Sequence, residues 1–361
     1  MITWLKVISV SVALLLLTAC EDKPQQGMGL WLGEQNHQFA EVTEGVEIRL
    51  PDDHRAHPDF RHEWWYFTAN LEDSLGNPLG IQWTQFRIAV SPLEQAEQSS
   101  WSSNQIYMAH SAVSTSDSHL ADEKWSRAHY QLSGVETAPL RVFLDNWQWK
   151  SSTRDLFPAS LNVKSDRFEY SLTLTSNSPY QKQGKNGYSQ KDKNGEVASY
   201  YYSQPFIQVD GEVVIDGEIR KVTGKGWIDR EWSSQFLLGS QQGWDWFALR
   251  LSEDTSLVVF QLRDSESGDT NYAHAKLMNK DGSGKTIDQE QITLRVASQT
   301  AIDGRSYPTE WQIQIPAHKI NLTVSALNPS AKMPLTIPYW EGPVQFSGSH
   351  SGSGYMELTG Y

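Results

Sequence analysis

The chain has little of what most simple functional classes require. It holds one cysteine, Cys20, in 361 residues, so no disulfide can form within it and the fold must stand on its core. Its most apolar stretch, Val7–Leu17, spans 11 residues, whereas a permanent membrane helix needs about 20. Basic residues are outnumbered, 30 Lys and Arg against 43 Asp and Glu, for a net charge of -13. That balance excludes nucleic acid as a partner and also excludes a polybasic grip on anionic lipid. Long helical periodicity is missing: only Pro92 to Ser100 reads as a short helix, with Ser91 as N-cap and Pro92 at the first position. No G-x-S-x-G elbow, P-loop or H-E-x-x-H occurs.

What is present begins at the N-terminus. Lys6 precedes the apolar run, and Leu17-Thr18-Ala19-Cys20 closes it in a pattern that resembles the bacterial lipobox. The resemblance implies removal of residues 1–19 as a signal peptide and a diacylglycerol on the Cys20 sulfur. An ordinary signal peptide with an incidental cysteine is the alternative. Residues 20–45 are polar and rich in Gly and Gln, and read as a flexible tether. Membrane contact is expected through the lipid alone. Glu21, rather than aspartate, follows the cysteine, which points to the outer membrane, facing the periplasm.

The rest of the chain reads as strands. Ile81 to Ile88 alternates apolar and polar residues as a half-buried strand does, and so do Phe168 to Leu174 and Trp311 to Ile315. Asp210-Gly211, Asp216-Gly217, Asp281-Gly282 and Asp303-Gly304 read as turns between such runs, and Gly348 to Gly354 as a hairpin tip. The class is all-β and antiparallel. The chain also repeats itself: Trp64-Trp65-Tyr66-Phe67 lines up with Trp244-Asp245-Trp246-Phe247, and Gly226-Trp227-Ile228-Asp229 with Gly354-Tyr355-Met356-Glu357. Two tandem β-barrel or sandwich domains follow, over residues 46–235 and 236–361. The 15 Trp, 14 Tyr and 12 Phe suit either barrel cores or a cavity for a flat, greasy ligand.

Four segments place carboxylates beside large aromatics: His57 to Tyr66, Gly226 to Ser233, Gly243 to Trp246, and Tyr339 to Pro343. Burial among rings raises a carboxyl pKa toward that of a useful general acid, and a paired arginine does the reverse. On this basis Glu63, Asp229, Arg230, Glu231 and Asp245 are expected in one buried network joining the two domains, with either a structural or a catalytic role. Asp229, Glu231 and Asp245 are the catalytic candidates. Glu63, Trp64, Trp65, Arg230, Trp244 and Trp246 are the ligand-binding ones. His54, His57 and His62 lie near Asp52, Asp53 and Glu63, but their spacing fits no zinc motif and Pro58 breaks any shared helix face. Neither a metal nor a cofactor is expected.

These motifs, completed by Gly354 to Tyr361, resemble in order those of the AttH / carotenoid 1,2-hydratase (hydroxyneurosporene synthase) family over residues 46–361. The resemblance implies two lipocalin-like domains. It implies either an exported protein working beside an ABC transporter, with a permease as possible partner, or a hydratase acting on a carotenoid-like polyene. In the hydratase branch a histidine stands beside the motif aspartate, where this chain has Arg230. Arginine gives up no proton at working pH, so Asp229 and Glu231 are expected to stay ionised beside it. The expected function is therefore binding of an apolar or amphipathic small molecule as accessory to an ABC transporter. The alternatives are the polyene hydratase and a structural envelope lipoprotein without ligand.

Overall fold

A computed structural model describes residues 38–92 and 103–361. Cys20 and its signal segment, tether residues 20–37 and nearly all of the expected Pro92–Ser100 helix lie outside the described residues. Within them the chain is all-β, its helical content limited to the 3-10 turns Asp52–His54, Gln289–Gln291 and Pro316–His318. The strands form two curled antiparallel sheets, one nearly closed into a barrel and one a half-barrel.

In the first sheet the opening strand His62–Asp73 pairs with Pro78–Ala89 on one side and with the closing strand Glu218–Ser233 on the other. The path continues outward through Gln105–Thr115 to His119–Arg127 at one end. At the other it runs through Ala198–Ile215, Phe168–Thr175 and three further strands to Ser133–Thr137. The two end strands are consecutive in the chain, so a His129–Ser133 bridge and the Lys124 ammonium on Asp145 nearly close the curl. The second sheet repeats the scheme. Its opening strand Gln241–Arg250 pairs with the closing strand Gly352–Leu358, which pairs in turn with Tyr339–Gly348.

Side chains alternate across a strand, and here the alternation serves two cores. Trp65, Phe67, Ala69 and Leu71 point into the first barrel, with Trp83, Trp149 and Tyr170. Phe247 and Leu249 point into the second sheet, against Trp311, Trp340 and Met356. The intervening residues Tyr66, Trp246 and Ala248 meet between the sheets. The opening strands are thus covered on both faces, which accounts for the unbroken run Trp64-Trp65-Tyr66-Phe67. It also corrects one expectation. The Pro78–Ala89 strand is buried on both faces, and its polar Gln82, Thr84 and Gln85 are buried with it. Their hydrogen bonds explain how: Gln82 donates to Thr84 at 2.7 Å and Gln85 to the Phe143 carbonyl at 3.1 Å. Phe168–Thr175 keeps the half-buried alternation read from its sequence.

Asp216-Gly217 and Asp303-Gly304 turn with positive φ at both residues, as two-residue hairpins require. Asp210-Gly211 does not turn. It lies within the Ala198–Ile215 strand, where a Cβ on Gly211 would stand 2.2 Å from the Ser171 carbonyl oxygen of the neighbouring strand. Glycine there serves a close backbone approach.

Candidate functional site

The outward-facing rows of the two opening strands confront each other across a cavity. In the first sheet Tyr66 lies opposite Asp229, which lies opposite Ser203; two residues along the strand, Trp64, Glu231 and Tyr201 form a parallel row. In the second sheet Trp246 lies opposite Glu357, which lies opposite Glu341. Trp244 and Tyr339 continue that wall, and Phe236 and Leu237 enter from the connection between the sheets. The Phe236 ring packs 4.2 Å from that of Trp64. Together they surround about 740 Å³ of empty space, solvent at its mouth included, mostly apolar with a few convergent polar groups.

Those polar groups are chiefly acids. Burial is the largest influence on Asp229 and pushes its pKa up to about 7. Three donors oppose it without prevailing: Trp227 Nε1 at 2.8 Å, the Tyr201 hydroxyl at 2.9 Å and the Ser203 hydroxyl. Burial also drives Glu357 to about 8, helped by the charges of Asp229 and Glu231 and opposed by a hydrogen bond from Trp244. Glu341 is 1% exposed, and neither of its oxygens has a hydrogen bond of ordinary geometry among the described residues. Burial and the neighbouring Glu357 carry its pKa well above the carboxylate range, although Tyr66 and Tyr339 lie close enough to oppose the shift. Glu231 differs, since Lys191 Nζ stands 2.5 Å from it and the Ser199 hydroxyl donates to it. Lys191 also lies over the Tyr201 and Phe260 rings, at 5.2 and 4.8 Å. It is the one cation among the described residues lining the cavity. The cavity therefore presents three carboxyls that hold protons near neutral pH, walled by aromatic rings. Such groups can act as general acids.

Of the residues singled out from sequence, Trp64, Asp229, Glu231, Trp244 and Trp246 line this cavity. Four others do not, and the expected five-residue network is corrected into three separate clusters. Glu63 is buried inside the first barrel. It accepts hydrogen bonds from Arg87 Nε, from Arg230 at 3.1 Å, and from the backbone N–H and Nδ1 of His57 at 2.8 and 3.1 Å. Arg230 donates as well to the carbonyls of Trp64 and Arg55, with its guanidinium 3.8 Å from the Trp65 ring centroid. Asp245 lies within the second sheet, paired with Arg263 at 2.5 Å and accepting from Gln261 and the Tyr361 hydroxyl at 2.8 and 2.7 Å. The strand geometry explains the split. Arg230 follows Asp229 in the chain but points to the opposite face, so it cannot hold Asp229 ionised, and that expectation fails.

The sequence reading passed over Glu341, Glu357, Lys191, Tyr201 and Phe236 as site residues. A signal existed for Glu357, which the repeat aligns with Asp229, and for Glu341, which sits in one of the aromatic-acid segments. Lys191 and Phe236 come from connections with no period to read. The histidines stand apart from the cavity acids: His54 Nδ1 meets the Tyr202 hydroxyl at 2.6 Å, His57 stacks on Trp232 at 4.0 Å, and His62 is buried near Phe236. Among the described residues no group of three or more His, Cys, Asp or Glu side chains could hold a metal ion.

A family profile described as AttH-like matches residues 41–361. A crystal structure assigned to AttH of Nitrosomonas europaea is 32% identical, with TM-score 0.81, covering 90% of this chain and 99% of its own. Kievitone hydratase of Nectria haematococca is 13% identical, with TM-score 0.64, covering 89% of this chain and 95% of its own, which shows a shared fold. No curated protein matches by sequence.

Proposed function

The chain belongs to the AttH-like family, and from that premise we propose that its cavity binds an apolar or amphipathic unsaturated molecule and adds water to one of its carbon–carbon double bonds. One observation carries this reading: buried carboxyls, whose pKa values burial raises, face an aromatic-walled cavity that an apolar chain would fill. Asp229, whose raised pKa of about 7 keeps a large share of it protonated up to neutral pH, is placed to give its proton to one alkene carbon. The positive charge left on the adjacent carbon is stabilised by the surrounding rings and by the Asp229 carboxylate just formed. Water then forms the new carbon–oxygen bond, and its surplus proton returns to the Asp229 carboxylate, so the acid is regenerated. Kievitone hydratase shares the fold, but the case for hydration rests on the acids of this cavity.

Incubation with an acyclic polyene should yield a product heavier by one water. Turnover should fall as pH rises through about 7, where Asp229 loses its proton. Asp229→Asn should abolish turnover while the fold, read by circular dichroism, persists. An unchanged rate in that variant would overturn the assignment.

The lipobox pattern at Cys20 supports a second reading of the same cavity, carriage of the ligand beside an ABC transporter without turnover. Quenching of tryptophan fluorescence by a polyene or long-chain lipid, with no product, would favour carriage. Quenching by none of several apolar ligand classes would favour the structural lipoprotein. Whichever reading holds, the lipobox pattern and Glu21 support a lipid anchor at the periplasmic face of the outer membrane. Palmitate labelling of the wild type that is absent from Cys20→Ser is the expected result, and equal labelling of the two would remove the anchor.

A further inference from the structure

The cavity holds four carboxyls and one ammonium, and the ammonium is committed. Lys191 pairs with Glu231, 2.5 Å away. Asp229 has three neutral donors in place of a cation. Glu341 and Glu357 have less. They are direct cross-strand partners on adjacent strands, an arrangement in which like charges repel. Glu341 is almost fully buried, lines the cavity, and has no hydrogen bond of ordinary geometry to either oxygen among the described residues, with only the Tyr66 and Tyr339 phenols close by. An unsatisfied buried carboxyl is costly, and here the open side of that carboxyl is the cavity. Rings frame the pair: Trp246 is cross-strand to Glu357, Trp244 donates to it, and Tyr66 and Tyr339 lie against Glu341. Carboxylates set among indole and phenol rings are the chemistry that recognises an alkylated ammonium.

We propose that Glu341, Glu357, Trp244 and Trp246 form a cation subsite that takes the ammonium group of an amphipathic ligand, whose apolar chain lies along Phe86, Phe236 and Leu262. This rests on the reading that the cavity takes an apolar or amphipathic molecule, and is independent of whether the ligand is hydrated. The same subsite suits the transient positive charge of alkene hydration, for which a stable ammonium is a mimic.

The inference has a pH signature. The titratable groups facing the pair are Tyr66, Tyr339 and Tyr355, the acids Asp229 and Glu231, and Lys191; His110 and Glu123 stand behind Tyr339. Burial keeps the three tyrosines protonated and pushes His110 down to about 4, so these four do not change charge between pH 6 and 8. Asp229 and Glu357 do titrate in that window, at about 7 and about 8. A bound cation favours their ionised forms. Binding should therefore release protons and tighten as pH rises.

Three probes of one chain length test this on the full protein: decyltrimethylammonium, decanol and decyl sulfate, each titrated by calorimetry and tryptophan fluorescence. At pH 8 the ammonium should bind about tenfold tighter than decanol or more, and decyl sulfate weakest. The ratio should shrink at pH 5.5, and proton release should show as a dependence of the heat on buffer ionisation enthalpy. Glu341→Gln/Glu357→Gln, checked for a native melting profile, should bring the ratio to about one. If decanol binds as well as the ammonium, or the double variant keeps the preference, the subsite is refuted and the apolar cavity stands. If none of the three binds, both fall.

Discussion

Asp229 shows how little a residue's chain neighbours say about its chemistry in a strand. Arg230 follows it directly yet lies in another core, while burial in the cavity wall sets its state against the opposing hydrogen bonds of Tyr201, Ser203 and Trp227. Its folded pKa of about 7 stands above the ordinary 3.8. The protein therefore loses stability through this group as pH rises from about 4, and the loss is complete above about 7. A shift of that size corresponds to roughly 4 kcal/mol. Asp229→Asn should accordingly unfold at higher denaturant than the wild type at pH 8 and almost together with it at pH 4. Parallel curves at both pH values would show that the carboxyl is not destabilised as described. The aspartate was legible in the sequence as an acid among aromatics. Its protonation was not, because adjacency was read where two-residue periodicity governs.

At the scale of elements, the opening strands combine two environments in one run of residues. Trp64 and Tyr66 belong to the cavity, Trp65 and Phe67 to a barrel core. The inner face also carries the Glu63 cluster. Burial works to raise the Glu63 pKa, but Arg87, His57 and Arg230 prevail and hold it well below the usual range. Removing one partner leaves buried groups uncompensated, so Arg230→Met should cost about 3–5 kcal/mol in urea unfolding. Adding Glu63→Gln should cost less than the sum of the two single changes, because the pair is lost once. Strict additivity would mean that the two residues do not interact. The sequence showed strand type well, through alternation and Asp-Gly turns. It misjudged Asp210-Gly211, because a glycine at a close backbone approach looks the same as one at a turn, and it took Ile81 to Ile88 for half-buried because nothing local reveals a second sheet over the outer face of that strand.

At the scale of the whole molecule, the two sheets are joined by specific contacts as well as by the cavity. Arg250 Nη2 reaches the Pro205 carbonyl at 2.7 Å, Asn70 donates to the Gly354 carbonyl at 2.9 Å, and the Thr336 N–H donates to Glu123 at 2.9 Å. At Gly80 the sheets come so close that a Cβ would stand 2.7 Å from Pro343 Cγ and 2.8 Å from the Tyr355 hydroxyl. Gly80→Ala should therefore shift the sheets relative to each other and weaken ligand quenching of the cavity tryptophans, although it lies outside the cavity lining. Unaltered quenching and an unaltered melting temperature would show that the joint yields freely. The internal repeat made a tandem arrangement legible. Which faces meet was not, since both faces of the opening strands carry large aromatics.

The two facing rows, Tyr66–Asp229–Ser203 and Trp246–Glu357–Glu341, occupy matching places in the two sheets. Were the halves identical subunits, every substitution would fall on both walls, and a long ligand could lie either way round with the same result. Fusion into one chain lifts that restraint, and Ser203 against Glu341 is where the walls have parted. The cavity thereby has a head and a tail. If the cavity hydrates its ligand as proposed, a substrate carrying the same double bond at both ends would be processed at one end, and would have to leave and turn round before the other end could react. Its singly hydrated form should accumulate ahead of the doubly hydrated one, a time course that chromatography of the products would display.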